Sequence, residues 1–309
     1  MRDGLLRVWG VTTPPLATLR PLLARLQDLK RVHTPDAVES LAGVGFLRAW
    51  GGLCAGRTIT DVVREELLRA VAAVELAGID DAVLRDAGLT VPQTADVYAK
   101  AVRLAGRGLP PAVVELVLSG QLFANRWPSP AALTRLCDQP RAGATHPTKP
   151  RLMLDPAESH ADHCYVVAVS AALLAPLYGA DPAMPFLAGL AHHLHNIWLP
   201  DGGFAGEELL GDHLKPVMDR FTERALAELP PPLADQVRAA FALLPAPDSP
   251  AAMAFHAADV LDRVLWMTQY ERAATFRLGA AMDDLELVHP GPTQAFLNDV
   301  LAAAGVWPR

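Results

Sequence analysis

The sequence predicts an all-α fold, and three observations support that prediction. Ala, Leu, Arg and Pro are abundant among the 309 residues, whereas aromatic residues make up only 6% and β-branched runs are few, which favours helix over sheet. Apolar residues recur at helical spacing through most of the chain. Helix start and stop signals separate these stretches. The apolar content, 51%, is enough for a sizeable core.

Helices are predicted throughout residues 1–145, which we expect to form an N-terminal helical domain of unknown role. Leucines at helical spacing give the first helix a broad apolar face. Thr34 and Pro35 are a start signal for the second helix, as its N-cap and its first-turn residue. The predicted helices cover residues 14–31, 35–50, 60–74, 81–87, 93–105, 110–123 and 128–137.

A linker is predicted at residues 138–149, which are rich in Pro, Gly and Thr and lack periodicity. Residues 146–309 are expected to form a second helical domain. Pro216 lies inside one of its helices and should kink or split it. The predicted helices cover residues 164–178, 183–198, 207–226, 231–244, 250–278 and 293–304.

Charge is distributed unevenly along the chain, whose net charge is −7. Residues 1–150 contain 18 Lys+Arg and 14 Asp+Glu, whereas residues 151–309 contain 9 and 20. The acidic half also contains most of the histidines, and an acidic potential suits a bound cation. Attraction between the two halves is another role for the same charges. No basic stripe with interleaved aromatic residues is present, so nucleic acid is not the expected partner.

The cysteines and the hydropathy pattern predict the protein's environment. Cys54, Cys137 and Cys164 are widely spaced and match neither a disulfide framework nor a CxxC zinc motif. The longest apolar run, residues 165–177, is shorter than the roughly 18 residues that a membrane span needs. The first residues include an acid, and no apolar leader follows. We therefore expect a cytoplasmic protein without membrane contact, which could form a homodimer.

Residues 191–196 place three histidines within an otherwise apolar run. His192 and His193 point to adjacent sectors of a helix, and His195 and Asn196 return to the His192 face. Burying several imidazoles is costly unless each is hydrogen-bonded or binds a metal. A metal site is therefore the economical explanation, and a polar helix face at a subunit or domain interface is the alternative.

Further candidate ligands lie on other predicted helices of the same half. Eight of the ten histidines occur at or after His160. His163 begins one helix, and His256 and Asp259 lie one turn apart on another. Helical proteins build metal sites from ligands on several helices that converge in the core. A nitrogen-rich set with one or two carboxylates fits one or two divalent ions of Mn, Co, Ni, Fe or Zn better than Ca or Mg.

Residues 150–280 resemble the HD-domain superfamily of metal-dependent phosphohydrolases, an all-helical family whose ligands follow the order His, His-Asp, Asp. Residues 158–163 look like the first-ligand segment of its 5′-deoxynucleotidase branch. Residues 190–194 stand in the place of the His-Asp pair, and residues 257–262 look like the last-ligand segment. The resemblance implies a metal-binding helical domain in the second half of the chain.

The metal ligands that the resemblance implies are His163, His192 and Asp259. His193 stands where the family has Asp, and it could be a fourth ligand or donate a hydrogen bond to a substrate. His256 could bind a second metal, contact substrate or be a core histidine. A neutral ligand in place of an anionic one raises the charge at the metal and favours a nitrogen-rich ion.

A second departure from the family, at Asn196, defines the candidate catalytic residues. The 5′-deoxynucleotidase branch has a catalytic acid at this position, which could take a proton from the attacking water. Asp201, Asp162 and His195 are the groups that could replace it. His193 or His195 could also stabilise the charge that develops during the reaction.

The remaining charged residues of this half have simpler interpretations. Asp262 and Arg263 are interpreted as an ion pair rather than as a catalytic pair, because adjacent residues on a helix do not share a face. Lys215 and Arg220 could contact a phosphate, although solvated surface charge is the simpler interpretation.

The implied function is hydrolysis of a small phosphorylated metabolite or nucleotide, by a phosphomonoesterase or a phosphodiesterase. One alternative is an HD-type oxygenase, in which a histidine-bound iron site activates O₂; the missing His-Asp pair opposes its usual diiron form. Another is a non-catalytic HD-fold protein that binds a ligand or acts as a scaffold. Only the first predicts phosphate release, and only the second requires iron and O₂.

Overall fold

The computed structural model describes residues 16–34, 37–123, 127–271, 277–279, 282–283 and 286–307. Those residues form helices and one two-stranded antiparallel sheet, which confirms the predicted all-α class. Buried apolar side chains from both halves of the chain belong to one continuous core. The division at residues 145 and 146 falls within a short strand, and the two-domain organisation stays a prediction.

The first half contains α1 (Leu16–Leu26), α2 (Leu41–Cys54), α3 (Ile59–Leu76), α4 (Asp81–Asp86), α5 (Val91–Ala105), α6 (Pro111–Leu118) and α7 (Ala131–Asp138). A 3₁₀ turn, Gln27–Lys30, directly follows α1. The predicted start of α2 at Thr34 and Pro35 is wrong, since Ser40 is the N-cap and its side chain accepts a hydrogen bond from Gly43 N. Residues 35 and 36 lie outside the described residues.

The second half contains β1 (Ala144–His146), β2 (Lys149–Leu152), α8 (His160–Leu174), α9 (Ala183–Ala191), α10 (Gly203–Leu210), α11 (Leu214–Leu226), α12 (Pro231–Ala240), α13 (Pro250–Glu271) and α14 (Gln294–Ala303). Short 3₁₀ turns lie at Ala175–Tyr178, Leu194–Ile197, Gly211–His213 and Phe241–Leu243. Strands β1 and β2 pair in the antiparallel sense, and β1 lies within residues 138–149, which we predicted to be an irregular linker.

Two predicted helices of this half differ from the observed ones. The helix predicted at residues 207–226 is split, but the break lies at Gly211, where φ is +48°. Pro216 instead lies in the first turn of α11, where backbone N–H groups have no partner within the helix. The predicted extension of α13 through residues 272–276 lies outside the part of the chain that the structure describes.

Helix α8 lies at the centre of the fold, and all of its residues are buried. Helices α2, α3, α9 and α13 pack around it. Gly189 of α9 lies against the α8 backbone, because a Cβ at this position would meet Ala168 Cα at 2.5 Å. Gly45 of α2 similarly lies against the ring of Tyr165. These close approaches bring the ends of neighbouring helices to the first turn of α8.

The structure bears on two further predictions about the protein's environment. The stretch His160–Tyr178 has the length and the mean hydropathy, 1.3, of a membrane-spanning helix. However, 89% of that window is buried inside the protein, which is typical of a core helix. Cys54, Cys137 and Cys164 are free, which confirms that they form no disulfide framework.

Candidate metal centre

The first turn of α8 is fixed by hydrogen bonds that place His163 in the core. Ser159 is the N-cap, and its N–H donates to Asp162 Oδ2 at 2.9 Å in a capping box. Asp162 also accepts a hydrogen bond from the Ser40 hydroxyl. His163, the next residue, is fully buried. Asp162 thus holds the helix start, and it does not line the cavity described below.

The end of α9 brings two more histidines to His163. His192 is the C-cap residue of α9, and His193 precedes the 3₁₀ turn Leu194–Ile197, so the helix predicted at residues 183–198 is interrupted at this pair. The ring centroids of His163 and His192 lie 5.1 Å apart, and those of His163 and His193 lie 5.2 Å apart. The interruption therefore allows both rings to contact the same side chain.

Asp259 of α13 completes a group of four candidate ligands. Its Oδ1 lies 3.3 Å from His163 Nε2 and 3.9 Å from His192 Nε2, and these two nitrogens are 3.1 Å apart. One donor atom from each of His163, His192 and His193 lies within 4.8 Å of the others. Ligands bound at about 2.0–2.1 Å to a tetrahedral metal lie about 3.4 Å from one another, so this spacing suits a single ion.

Each of the three imidazoles uses Nδ1 in a hydrogen bond. The pairs are His163 Nδ1 with Asp262 Oδ2 at 2.7 Å, His192 Nδ1 with Gly189 O at 2.8 Å, and His193 Nδ1 with Asn196 Oδ1 at 2.8 Å. Asn196 Nδ2 donates to Leu199 O at 2.9 Å, which turns Oδ1 toward His193. Because a carbonyl or carboxylate oxygen accepts, each Nδ1 carries a proton, and Nε2 is the nitrogen that remains for a metal.

Burial favours the metal-binding form of His192 and His193, and neighbouring charges favour that of Asp259. Burial lowers the pKa of His192 to about 3, with His163 adding to the effect, and it lowers the pKa of His193 well below the usual value. Burial alone would raise the pKa of Asp259, but Arg263 and His163 outweigh it and hold that pKa well below its usual range. Neutral imidazoles and an ionised carboxylate are the forms that bind a transition metal.

His160 is a further buried imidazole beside these ligands. Neither of its ring nitrogens has a hydrogen-bond partner among the described residues. Its ring centroid lies 4.9 Å from that of His193, and its Nε2 lies 3.8 Å from Asp201 Oδ2. Burial, with a contribution from Arg141, lowers the pKa of His160 to about 2. An unpaired buried imidazole costs free energy, so His160 does not stabilise the fold, and its position beside the candidate ligands indicates a role in binding.

A cavity of about 250 Å³ adjoins three of the four candidate ligands. His192, His193 and Asp259 contribute to its wall, together with two arginines, an aromatic pair and several small residues. Arg263 Nη2 lies 3.1 Å from Asp259 Oδ2. The cavity therefore combines candidate metal ligands with two arginines and with the carboxylates of Asp201 and Glu207. The other lining residues are Arg141, Gly143, Ala144, Thr145, Asp201, Gly203, Phe204, Glu207, Leu287 and His289.

Two predicted catalytic residues lie at or near this cavity. Asp201 lines it, and its two oxygens accept hydrogen bonds from Ala142 N at 2.9 Å and Gly203 N at 2.8 Å. The ring of His195 lies 5.7 Å from that of His193, and burial lowers the pKa of His195 to about 4. Their catalytic roles, like that of Asn196, stay predictions.

His256 lies outside both groups of donor atoms that could hold a metal among the described residues. Its ring contacts that of Phe255, with centroids 5.1 Å apart, and its Nε2 has no hydrogen-bond partner in the described part of the chain. The ring of Phe255 in turn lies 5.4 Å from that of His192. The predicted role of His256 as a ligand stays a prediction.

The interpretation of Asp262 and Arg263 as an ion pair is wrong. Arg263 pairs with Asp259, one turn earlier, whereas Asp262 is the hydrogen-bond partner of His163 and of Lys30. Sequence reasoning missed the roles of Lys30 and Asp262. Lys30 looks like an ordinary basic residue at the end of a helix, and it meets Asp262 only through a contact 232 residues apart in the chain.

Comparison with known proteins identifies no relative, since the chain matches no family profile, no curated protein and no solved structure. The resemblance to the HD-domain superfamily therefore stays a prediction from the sequence segments that suggest it. The donor set itself, three imidazole nitrogens and one carboxylate oxygen, fits a divalent transition metal.

Proposed function

We propose that this chain is a metal-dependent phosphohydrolase that acts on a small phosphorylated metabolite or nucleotide. The observation that supports this most strongly is the convergence of buried His163, half-buried His192 and His193, and Asp259 beside a cavity that two arginines also line. The order of the ligands along the chain supports the same proposal through its resemblance to the HD-domain superfamily.

His163, His192, His193 and Asp259 would hold one divalent ion of Mn, Co, Ni, Fe or Zn. When bound, such an ion supplies positive charge at a phosphoryl oxygen and makes a nearby water molecule more acidic. Asn196 acts on His193 alone, because its amide orients that ring rather than reaching the reacting atoms.

Arg141 and Arg263 bind the phosphoryl group of the substrate. Both line the cavity, and Arg263 Nε has no hydrogen-bond partner among the described residues. Arg141 Nη1 lies 3.5 Å from Glu158 Oε1, an ion pair too long and poorly aligned to be a hydrogen bond. A planar guanidinium matches the oxygens of a phosphate group and remains charged when partly buried. Because Arg263 also pairs with Asp259, the anion is held next to the candidate metal ligands.

Phe204 and His289 form a stacked ring pair in the same cavity, and an outer face of this pair is flat. Their rings stack with centroids 4.2 Å apart and an interplanar angle of 19°. Such a surface can stack against a planar group, which supports a nucleotide within the proposed substrate class.

Asp201 is the general base in this proposal. Each of its oxygens accepts one backbone hydrogen bond and keeps a lone pair for the attacking water. It lines the same cavity as Asp259, whereas Asp162 is engaged in capping α8. A positioned base typically contributes about 10²–10⁴-fold to the rate of such a reaction.

The test is phosphate release from nucleoside monophosphates, small phosphomonoesters and a phosphodiester, each assayed with Mn²⁺, Co²⁺ and Ni²⁺. We expect metal-dependent release by the wild type and a loss of about 10²–10⁴-fold in Asp201→Asn, with the metal content unchanged. Bound metal without phosphate release from any compound would contradict the proposal. Bound iron with O₂ consumption would instead favour the oxygenase.

A further inference from the structure

A lysine from the first half of the chain lies next to the candidate metal centre. Lys30 ends the 3₁₀ turn after α1, and its side chain is completely buried. Its Nζ lies 2.5 Å from Glu158 Oε2 and 2.9 Å from the Asp262 carboxylate. The ammonium group also lies 4.9 Å from the ring centroid of Trp266. Both carboxylates belong to the second half, so Lys30 links the two halves beside His163.

The position that Lys30 occupies is suited to a cation. Glu158, His163 and Asp262 place donor atoms within 4.8 Å of one another, and the ammonium group contacts two of these three side chains. Burial alone would lower the pKa of Lys30, but Asp262 and Glu158 outweigh it and raise that pKa. A buried ammonium paired in this way stays charged and cannot dissociate from the protein.

Asp262 connects this lysine to the metal ligand. Its Oδ2 accepts hydrogen bonds from Lys30 Nζ at 2.9 Å and pairs with His163 Nδ1 at 2.7 Å, while Gln27 Nε2 donates to Oδ1 at 3.0 Å. The two donors from the first half thus fix the carboxylate that orients the imidazole. Removal of a carboxylate that holds a metal-bound histidine in this way typically weakens metal binding by 10–100-fold.

We propose that Lys30 is the built-in cation of the metal centre and a positioning residue for His163. It holds Asp262 in place, Asp262 fixes the His163 ring through Nδ1, and the ring then directs Nε2 toward the metal. The inference rests on the proposed function, because it requires that His163 binds a metal ion. Through Lys30, the first half of the chain would then help to position a ligand of the metal centre.

The experiment compares the affinity for Co²⁺, measured by chelator competition, and the visible spectrum of the bound ion. Lys30→Met leaves the buried Asp262 carboxylate without its lysine and leaves Glu158 with Arg141 alone, which can prevent folding. The decisive variant is therefore the double change Lys30→Met with Glu158→Gln, which preserves the net charge of Lys30, Glu158 and Asp262. The control is Lys100→Met, since Lys100 is 70% exposed and pairs with Asp96 on the surface.

We expect the double variant to bind Co²⁺ about 10–100-fold more weakly than the wild type, with a changed spectrum, and the control to match the wild type. If Lys30 only neutralises buried carboxylates, the double variant will keep the wild-type affinity and spectrum, and the inference is overturned while the proposed function stands. Failure of the wild type to bind Co²⁺ would overturn the proposed function, and this inference with it.

Discussion

The protein contains two buried clusters of polar side chains, one where α2, α3 and α4 meet and one where α8, α9 and α13 meet. In the first, Arg48 donates two hydrogen bonds to Glu66, at 2.8 and 2.6 Å. Arg69 donates to Glu65 at 2.9 Å and also to Asp81. Each of these charged groups therefore has an opposite charge as its partner.

The second cluster has a different pattern of partners. His163, His192 and His193 each use Nδ1 in a hydrogen bond, and each places one donor nitrogen within 4.8 Å of those of the other two. His160 beside them has no hydrogen-bond partner among the described residues. The comparison indicates that the fully paired cluster holds the helices together, whereas the incompletely paired cluster is suited to binding.

The largest effect on stability is expected from Arg69→Met in the first cluster. The Arg69 side chain is only 8% exposed, and its loss leaves Glu65 and Asp81 with one partner fewer inside the protein. Glu65 keeps Arg57 and Asp81 keeps Arg85 as a partner, so we expect the free energy of unfolding to fall by about 1.5–3 kcal/mol, as measured by urea denaturation. The metal affinity of the folded fraction should not change, and a loss of metal binding would show that the two clusters are not independent.

His192→Ala should change the stability of the metal-free protein only slightly, but it should greatly reduce the stabilisation that added metal provides. Ligand binding to the native state raises stability by about 2.7 kcal/mol when the free ligand is at 100 times its Kd. We therefore expect Co²⁺ or Zn²⁺ to raise the melting temperature of the wild type and to leave that of the variant unchanged. An equal rise of the melting temperature in both proteins would show that His192 is not a metal ligand.

An intermediate effect is expected from Asn196→Ala, which removes the hydrogen-bond partner of His193 Nδ1. The ring should lose its fixed orientation, and metal affinity should fall by about 10–100-fold in a chelator competition assay. Asn298→Ala is the matched control, because Asn298 is exposed on α14. An unchanged affinity in Asn196→Ala would mean that His193 is not held as a ligand.

The smallest effect is expected from Lys215→Ala. This side chain is 83% exposed and pairs with Asp219 one turn later on α11. Surface pairs of this kind contribute below about 0.5 kcal/mol, so urea denaturation should hardly distinguish the variant from the wild type. Phosphate release should also be unchanged, and a large loss would assign Lys215 the substrate contact that we give to Arg141 and Arg263.

The helical class could be predicted from the sequence because local signals determine it, but several boundaries depend on single contacts. Helix α2 starts at Leu41 because the Ser40 side chain caps it, although Thr34 and Pro35 provide the same local start signal earlier in the chain. The break before α11 lies at Gly211 rather than at Pro216, since proline is tolerated in a first helical turn. The strands β1 and β2 are too short to show a periodic pattern.

The candidate site could be predicted in part, since histidines within an apolar run are visible in any sequence. His163, His192 and His193 lie together and Asp259 lies beside the first two, whereas their role as metal ligands stays a prediction. The contacts of Lys30 could not be predicted in this way. They depend on how α1 packs against α13, and no local pattern encodes a hydrogen bond between residues 232 positions apart.

The central claim is that the histidine cluster holds a transition metal, and elemental analysis tests it most directly. The wild type would be purified and measured beside His192→Ala and Asp259→Ala. The account predicts about one equivalent of a divalent transition metal in the wild type and none in either variant. The reason is that His163, His192 and His193 place donor atoms within 4.8 Å of one another and Asp259 lies beside two of them. A wild-type protein that contains no metal, even after reconstitution with Mn²⁺, Co²⁺, Ni²⁺, Fe²⁺ and Zn²⁺, would contradict the claim.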